Sequence, residues 1–181
     1  MGQFKVGDRV EIIDDIGHHY PSHIGIVTKE RHRSMAVAQD VDVWLADGTY
    51  HRFFDFQLHV PAAIVAHVLF DSATAPQIAG TRGICQSRHL QFAADDFDLQ
   101  ITIAESEGHK TILGHIDSRW AVPESPLVTL LVENDPQQST IADGLRKFAF
   151  DQVPPRNVSL EIFAPGRCII AAFDVGMEES L

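Results

Sequence analysis

Cysteine is scarce in this chain. The two copies, Cys85 and Cys168, stand far apart and form no C-x-x-C pair. Two packed thiols in a reduced compartment are the expectation, and a single long-range disulfide is the alternative that spacing leaves open. Basic residues are also few, 14 Lys and Arg against 25 Asp and Glu, for a formal net charge of -11. Neither the first 61 residues nor the remainder is basic. Such a chain repels phosphate backbones, so nucleic acid is excluded from the expected partners. No apolar run approaches the roughly 20 residues of a membrane helix, and no basic-plus-apolar leader opens the sequence. A soluble, cytoplasmic protein with no membrane partner is expected. There is no G-x-S-x-G elbow. Gly80-Thr-Arg-Gly83 lacks the lysine and the following helix of a phosphate-binding loop. No amphipathic helix longer than two turns stands out; Ser139 to Arg146 is interrupted by Gly144 and turn residues.

What is present is strand after strand. The composition, 45% hydrophobic and 22% charged, is that of an ordinary globular protein. Residues 1–61 read as a small β-barrel. Val6, Val10 and Ile12 share a face once a Gly7-Asp8 turn is allowed, and Ile24 to Val27 is a second strand whose Gly25 suggests a bulge or bend. Val41 to Leu45 alternates into Ala46-Asp47-Gly48, a hairpin signal, and Tyr50 to Phe54 returns. Asp55 to Leu58 closes the set, and five short strands fit a small barrel.

Residues 62–176 read as an antiparallel β-sandwich, with a frayed tail at 177–181. Pro61-Ala62-Ala63 is too short a link for free motion, so the two parts are expected to pack together. Ile64 to Phe70 is an apolar strand. Phe97, Leu99, Ile101 and Ile103 alternate with polar residues, a hairpin loop is centred on Gly108, and Thr111 to Ile116 returns. Leu127 to Val132 precedes an Asn134-Asp135-Pro136 turn. Asp143-Gly144 supplies a turn through glycine's access to positive φ. Phe148 and Phe150 then alternate up to Pro154-Pro155, which cannot donate to a ladder and ends the strand. Leu160 and Ile162 resume the pattern, and Pro165-Gly166 turns into a last strand, Cys168 to Phe173.

Two resemblances arise from these residues. Phe4 to Val10, Gly25-Ile26-Val27, and Val41 to Leu45 before Asp47-Gly48 resemble SH3-like barrels of the KOW type, over about the first third of the chain. Ile112 to Ile116, Leu127 to Val132, Asp143-Gly144, Phe148-Ala-Phe150 and Val153-Pro-Pro155 resemble carboxypeptidase-regulatory-like (transthyretin-like) sandwiches. Arg156 stands where that pattern has glycine. Leu69 to Ser72, Gly80 to Gly83 and Arg88 to Phe92 resemble the region before such sandwiches in bacterial accessory proteins associated with sigma and anti-sigma factors. The sandwich resemblance carries over no catalytic residues; it implies an interaction module whose partner is another protein in trans.

Several side-chain groups invite chemistry. His18, His19 and His23 are the densest histidine cluster, with Asp14 or Asp15 near enough in sequence to complete a Zn²⁺ or Ni²⁺ site. A His-rich polar loop is the plainer expectation. Asp95-Asp96-Phe97-Asp98 lacks calcium-loop spacing and reads as an acidic strand edge. Arg82, Arg88 and His89 near Cys85 would favour a thiolate, but a buried strand-end cysteine is the stronger expectation. Trp44, Phe53, Phe54 and Phe56 surround the Asp47-Gly48 hairpin. Most must fill the barrel, and one or two are left as a shallow protein-binding surface. Since neighbours on a strand face opposite ways, one of Phe53 and Phe54 is outward. The sequence therefore predicts a non-enzymatic bacterial regulatory protein that binds a partner protein through these aromatics and through sandwich edges. A metal-binding role for His18, His19 and His23 is the alternative, and the oligomeric state is open.

Overall fold

The computed structural model describes residues 4–17, 19–31, 38–74, 87–95, 97–106, 109–118 and 125–176. It is all-β, as expected; the described residues form three five-stranded sheets, one four-residue α-helical turn, α1 (Asp14–Gly17), and a short 3-10 turn.

The first sheet comprises β1 (Arg9–Ile12), β2 (Ile24–Arg31), β3 (Asp40–Leu45), β4 (Tyr50–Phe54) and β5 (Leu58–His59), in the order β4-β3-β2-β1-β5. Alternation puts Val10, Ile12, Val27, Val43, Leu45 and Phe53 into one small core with Phe4 and Leu58. The strand count and inward pattern are those expected of the barrel, but the sheet stays open. Its outer strands, β4 and β5, are joined by a 3-10 turn at Asp55–Gln57 and no ladder pairs them among the described residues. Gly25 is not the bulge. The register slips three residues later, at Thr28, between Val27 and Lys29. A Cβ at residue 25 would lie 2.5 Å from the Trp44 carbonyl oxygen, so glycine there permits close strand approach.

The apolar run Ile64 to Phe70 is two strands rather than one. β6 (Ala63–Val65) and β7 (His67–Asp71) join different sheets, with the break at Ala66, whose N–H donates to Ile170 O at 2.8 Å. The second sheet has the order β13-β10-β9-β8-β7, adding β8 (Ser87–Ala94), β9 (Phe97–Ser106), β10 (His109–Ser118) and β13 (Lys147–Val153). The third has the order β12-β11-β14-β15-β6, adding β11 (Leu127–Val132), β12 (Asp135–Ile141), β14 (Asn157–Ala164) and β15 (Arg167–Asp174). Facing residues of these two sheets, among them Phe92, Leu99, Ile101, Ile112 and Phe150 against Leu130, Leu160, Ile162 and Ala171, form one core. This is the sandwich that the alternating pattern predicts. Pro154-Pro155 carries the chain from the second sheet to the third.

Two turn assignments shift. The β11–β12 turn is Glu133-Asn134, with φ of 54° and 71°, the backbone of a two-residue hairpin. Asp135 and Pro136 already belong to β12. Near Asp143-Gly144 the left-handed residue is Arg146, at φ 59°, not Gly144. Asp143 stabilises that loop by accepting the N–H groups of Leu145 and Lys147 at 2.9 and 2.8 Å.

The third sheet is the middle layer. Its inner face meets the second sheet, and its outer face meets the first. Ile24 and Ala46 pack there with Leu127, Phe163 and Cys168, joined by the half-buried Ile26, Trp44, Ile141 and Ile170. Polar contacts flank this seam. Arg9 Nε lies 2.7 Å from Glu161 Oε2, out of line for a hydrogen bond, so the attraction is Coulombic. Glu11 accepts the Gly166 N–H and lies 3.2 Å from His59 Nε2. The two parts therefore pack together, as the short link at 61–63 implies. Cys168 is a free buried thiol, and burial followed by the nearby Glu161 carboxylate pushes its pKa up to about 11. Cys85 lies outside the described residues. Among the described residues no helix is long and apolar enough to cross a membrane.

Candidate functional site

The aromatic residues around the β3–β4 hairpin divide into three environments. β4 alternates, so Phe53 turns inward and is 1% exposed, while Phe54 turns outward. Phe53 is thereby unavailable to a partner. Its ring and that of His51 pack against Tyr20, each at a centroid separation of 5.0 Å. Trp44 faces outward too, but the third sheet covers it at the seam. Phe54 and Phe56 alone of the four remain at the surface, 42% and 64% exposed. Their rings stack, with centroids 5.4 Å apart and planes 9° from parallel.

The backbone holds this pair in place. The 3-10 turn at Asp55–Gln57 reverses direction directly after β4, which brings residue 56 back over residue 54. The Gln57 side chain accepts the Phe54 N–H at 2.8 Å, and Asp55 Oδ1 accepts the Phe56 N–H at 2.9 Å. These bonds fix the backbone from which the two rings meet as an apolar plate.

Charged residues adjoin the plate on the same outward face. Asp42 on β3 accepts from Arg52 Nε at 2.8 Å and from Arg31 Nε and Nη2 at 3.1 and 3.0 Å. The hydrogen bond from Arg52, then that from Arg31, holds the Asp42 carboxyl below its ordinary value. Tyr50, at the start of β4, is 70% exposed. The outward face of β4 thus reads Tyr50, Arg52, Phe54.

A second apolar surface lies on the sandwich. Val65, Val68, Leu69 and Phe70, on β6 and β7, are each at least 45% exposed. Behind them Asp71 receives Arg88 Nε and Nη2 at 2.8 and 2.5 Å, and Arg88 Nη1 donates to Asp174 O at 2.7 Å. These bonds tie the β7–β8 edge to the end of β15.

Of the His18, His19 and His23 cluster, only His19 and His23 lie among the described residues. His18 lies outside the described residues, as do Asp96 and Arg82, and the side chains of Asp14 and Asp15 are likewise outside them. His19 is exposed; His23 is half-buried with its ring against Gly17. Among the described residues no group of three or more His, Cys, Asp or Glu is placed to hold a metal ion.

Tyr50 and Arg52 were not singled out by sequence, although the alternation that turns Phe54 outward places both beside it. The exposure of β7 was not legible: an apolar run signals burial, and only the topology puts this one at an outer edge. No protein-family model, no curated protein and no solved structure matches this chain.

Proposed function

We propose that this protein is a non-enzymatic accessory that binds another protein, with Phe54 and Phe56 at the centre of the contact. One observation carries the reading. Two phenylalanine rings stack and face solvent on a turn whose backbone is held by the hydrogen bonds of Gln57 and Asp55, next to a core that takes Phe53. Exposed aromatic area of this kind is costly in water and is the composition of interface centres. The exposed strand residues Val68 to Phe70 supply further apolar surface of the same character. The resemblance to transthyretin-like sandwiches, whose members serve as interaction modules, supports the same class of function.

The test is paired capture. Wild-type chain and the Phe54→Ala/Phe56→Ala variant are each incubated with source-cell lysate at physiological salt, and bound proteins are resolved by native mass spectrometry. A stoichiometric partner retained by the wild type and lost by the folded variant is the expected result. The same partner on both chains, or a partner on neither, would overturn the reading.

A further inference from the structure

The six outer strands of the three sheets are not equally open to pairing. β5 and β6 have only two and three residues. β7 is interrupted, since its register with β8 slips between Val68 and Phe70. β12 carries Pro136 and a slip of its own against β11. β13 has a slip against β10, a left-handed Gln152, and an Asp151 carbonyl already accepting from Gln138 Nε2 at 2.9 Å. Shortness, bulges and proline are the devices by which natural sheets blunt their edges. β4 has none of them: five residues run in unbroken register against β3, Asp40↔Phe54 through Trp44↔Tyr50.

The phase of its hydrogen bonds is fixed as well. Leu45 N donates to Thr49 O at 2.8 Å and Asp55 N to Gln39 O at 2.9 Å. In an antiparallel ladder bonded and non-bonded pairs alternate. The odd residues of β4 therefore face β3, and the backbone groups of Tyr50, Arg52 and Phe54 face away from it. The Phe54 N–H is taken by Gln57. That leaves both groups of Tyr50 and Arg52 on a side where no strand of the sheet follows among the described residues.

We propose that β4 is a strand-addition site for an extended segment of a partner protein, one that sets an acidic residue opposite Arg52 and apolar residues opposite Tyr50 and Phe54. This rests on the reading of the protein as a binder of other proteins and specifies how it binds. Ladder bonds to Tyr50 and Arg52 supply the docking, and side chains of the added strand meet their cross-strand neighbours on the outward face. Arg52 uses Nε for Asp42, and its side chain is 53% exposed, so the terminal guanidinium nitrogens are the part offered to a second carboxylate. The next strand's apolar residues would continue the Phe54–Phe56 plate. A second copy of this chain is the poorer occupant. Pairing β4 with itself about its centre sets Arg52 against Arg52, between two chains that each carry a net charge of -11.

The probe is a short threonine-based peptide with a central glutamate flanked, two positions away on each side, by phenylalanine. It is titrated against the full chain and followed by amide hydrogen exchange. Expected are protection of the Tyr50 and Arg52 amides, about tenfold weaker binding when lysine replaces the glutamate, and loss of that preference in Arg52→Gln. Loss of binding when alternate peptide nitrogens are methylated is also expected, because the added strand then has no N–H to give the Tyr50 and Arg52 carbonyls and its methyl groups crowd the ladder. Equal affinity for the glutamate and lysine peptides, tolerance of methylation, protection at Val68 to Phe70 instead, or no binding would each overturn the proposal. Those failures, combined with a partner that is still lost by Phe54→Ala/Phe56→Ala in the capture experiment, would leave the protein-binding reading standing and remove only this mode.

Discussion

The backbone N–H of Gly166 points at the carboxylate of Glu11, 2.8 Å from Oε1 and 2.9 Å from Oε2. The two residues are 155 positions apart, one on β1 and the other at the β14–β15 turn. Gly166, at φ 75°, takes the left-handed position after Pro165, which directs its N–H outward from the sandwich. Glu11 points toward it because it shares a β1 face with Arg9, opposite to Val10 and Ile12. The contact is thus one of the pins that fix the sandwich against the first sheet.

Replacing Glu11 by alanine removes a charge-assisted bond at this seam and is expected to cost about 1–2 kcal/mol in urea unfolding. Glu11→Gln keeps an acceptor and is expected to cost less. Loss of the pin should also broaden the transition or split it, as the first sheet and the sandwich begin to unfold separately. A Glu11→Ala curve superimposable on the wild type would show that the apolar seam alone carries the docking.

Within the sandwich, Gly114 and Phe148 are cross-strand partners of β10 and β13. The tip of the Phe148 ring occupies the space beside residue 114, where a Cβ would be 2.0 Å from Cζ. Gly114→Ala therefore forces the ring away and is expected to destabilise by about 1–3 kcal/mol, as overpacking does. In a Phe148→Leu background most of that cost should vanish. A double-mutant cycle that gave additive effects would mean the ring is not the obstacle.

Acid should expose the Arg88–Asp71 pair. The Arg88 hydrogen bond, then the Ala73 N–H, holds the Asp71 carboxyl below its ordinary value of 3.8. A group depressed in the folded state contributes its full stability above the unfolded pKa and loses it as pH falls through the folded one. Asp42, held down by Arg52 and then Arg31, acts in the same direction. Stability measured from pH 6 downward should therefore fall less steeply below about pH 4 in Asp71→Asn than in the wild type. An unchanged acid limb would show that neither the pair nor its shift matters to folding.

The fold was legible wherever one face of a strand is wet. β9 shows this, with Phe97, Leu99, Ile101 and Ile103 inward and polar residues between them. It was not legible in β12, whose seven residues are exposed or half-buried and so carry no apolar period. It was misjudged in Ile64 to Phe70, where one apolar run serves two sheets. The seam was hidden for a related reason. Ile24, Ile26 and Trp44 lie on the face of the first sheet opposite to its own core, and a strand buried on both faces gives no sign of which neighbour covers which side. Of the candidate surface, the opposition of Phe53 and Phe54 followed from strand geometry alone. The stacking of Phe56 on Phe54 needed the 3-10 turn, which short sequence patterns do not resolve.

Trp44 and Phe56 should behave oppositely on truncation, and that contrast separates the seam from the surface. Trp44 packs into the cluster of Ile24, Leu127 and Phe163, so Trp44→Ala empties space between two layers and is expected to cost about 3 kcal/mol. Phe56 is 64% exposed and gives up only its stacking on Phe54, so Phe56→Ala is expected to change stability by less than about 1 kcal/mol. Partner capture should reverse the order: Phe56→Ala lowers it at full stability, while Trp44→Ala lowers it only in proportion to the unfolded fraction. Thermal unfolding and capture yield measured on the same two variants decide this. A stable Trp44→Ala chain that fails to bind would return Trp44 to the contact surface and place the seam outside the energetics of folding.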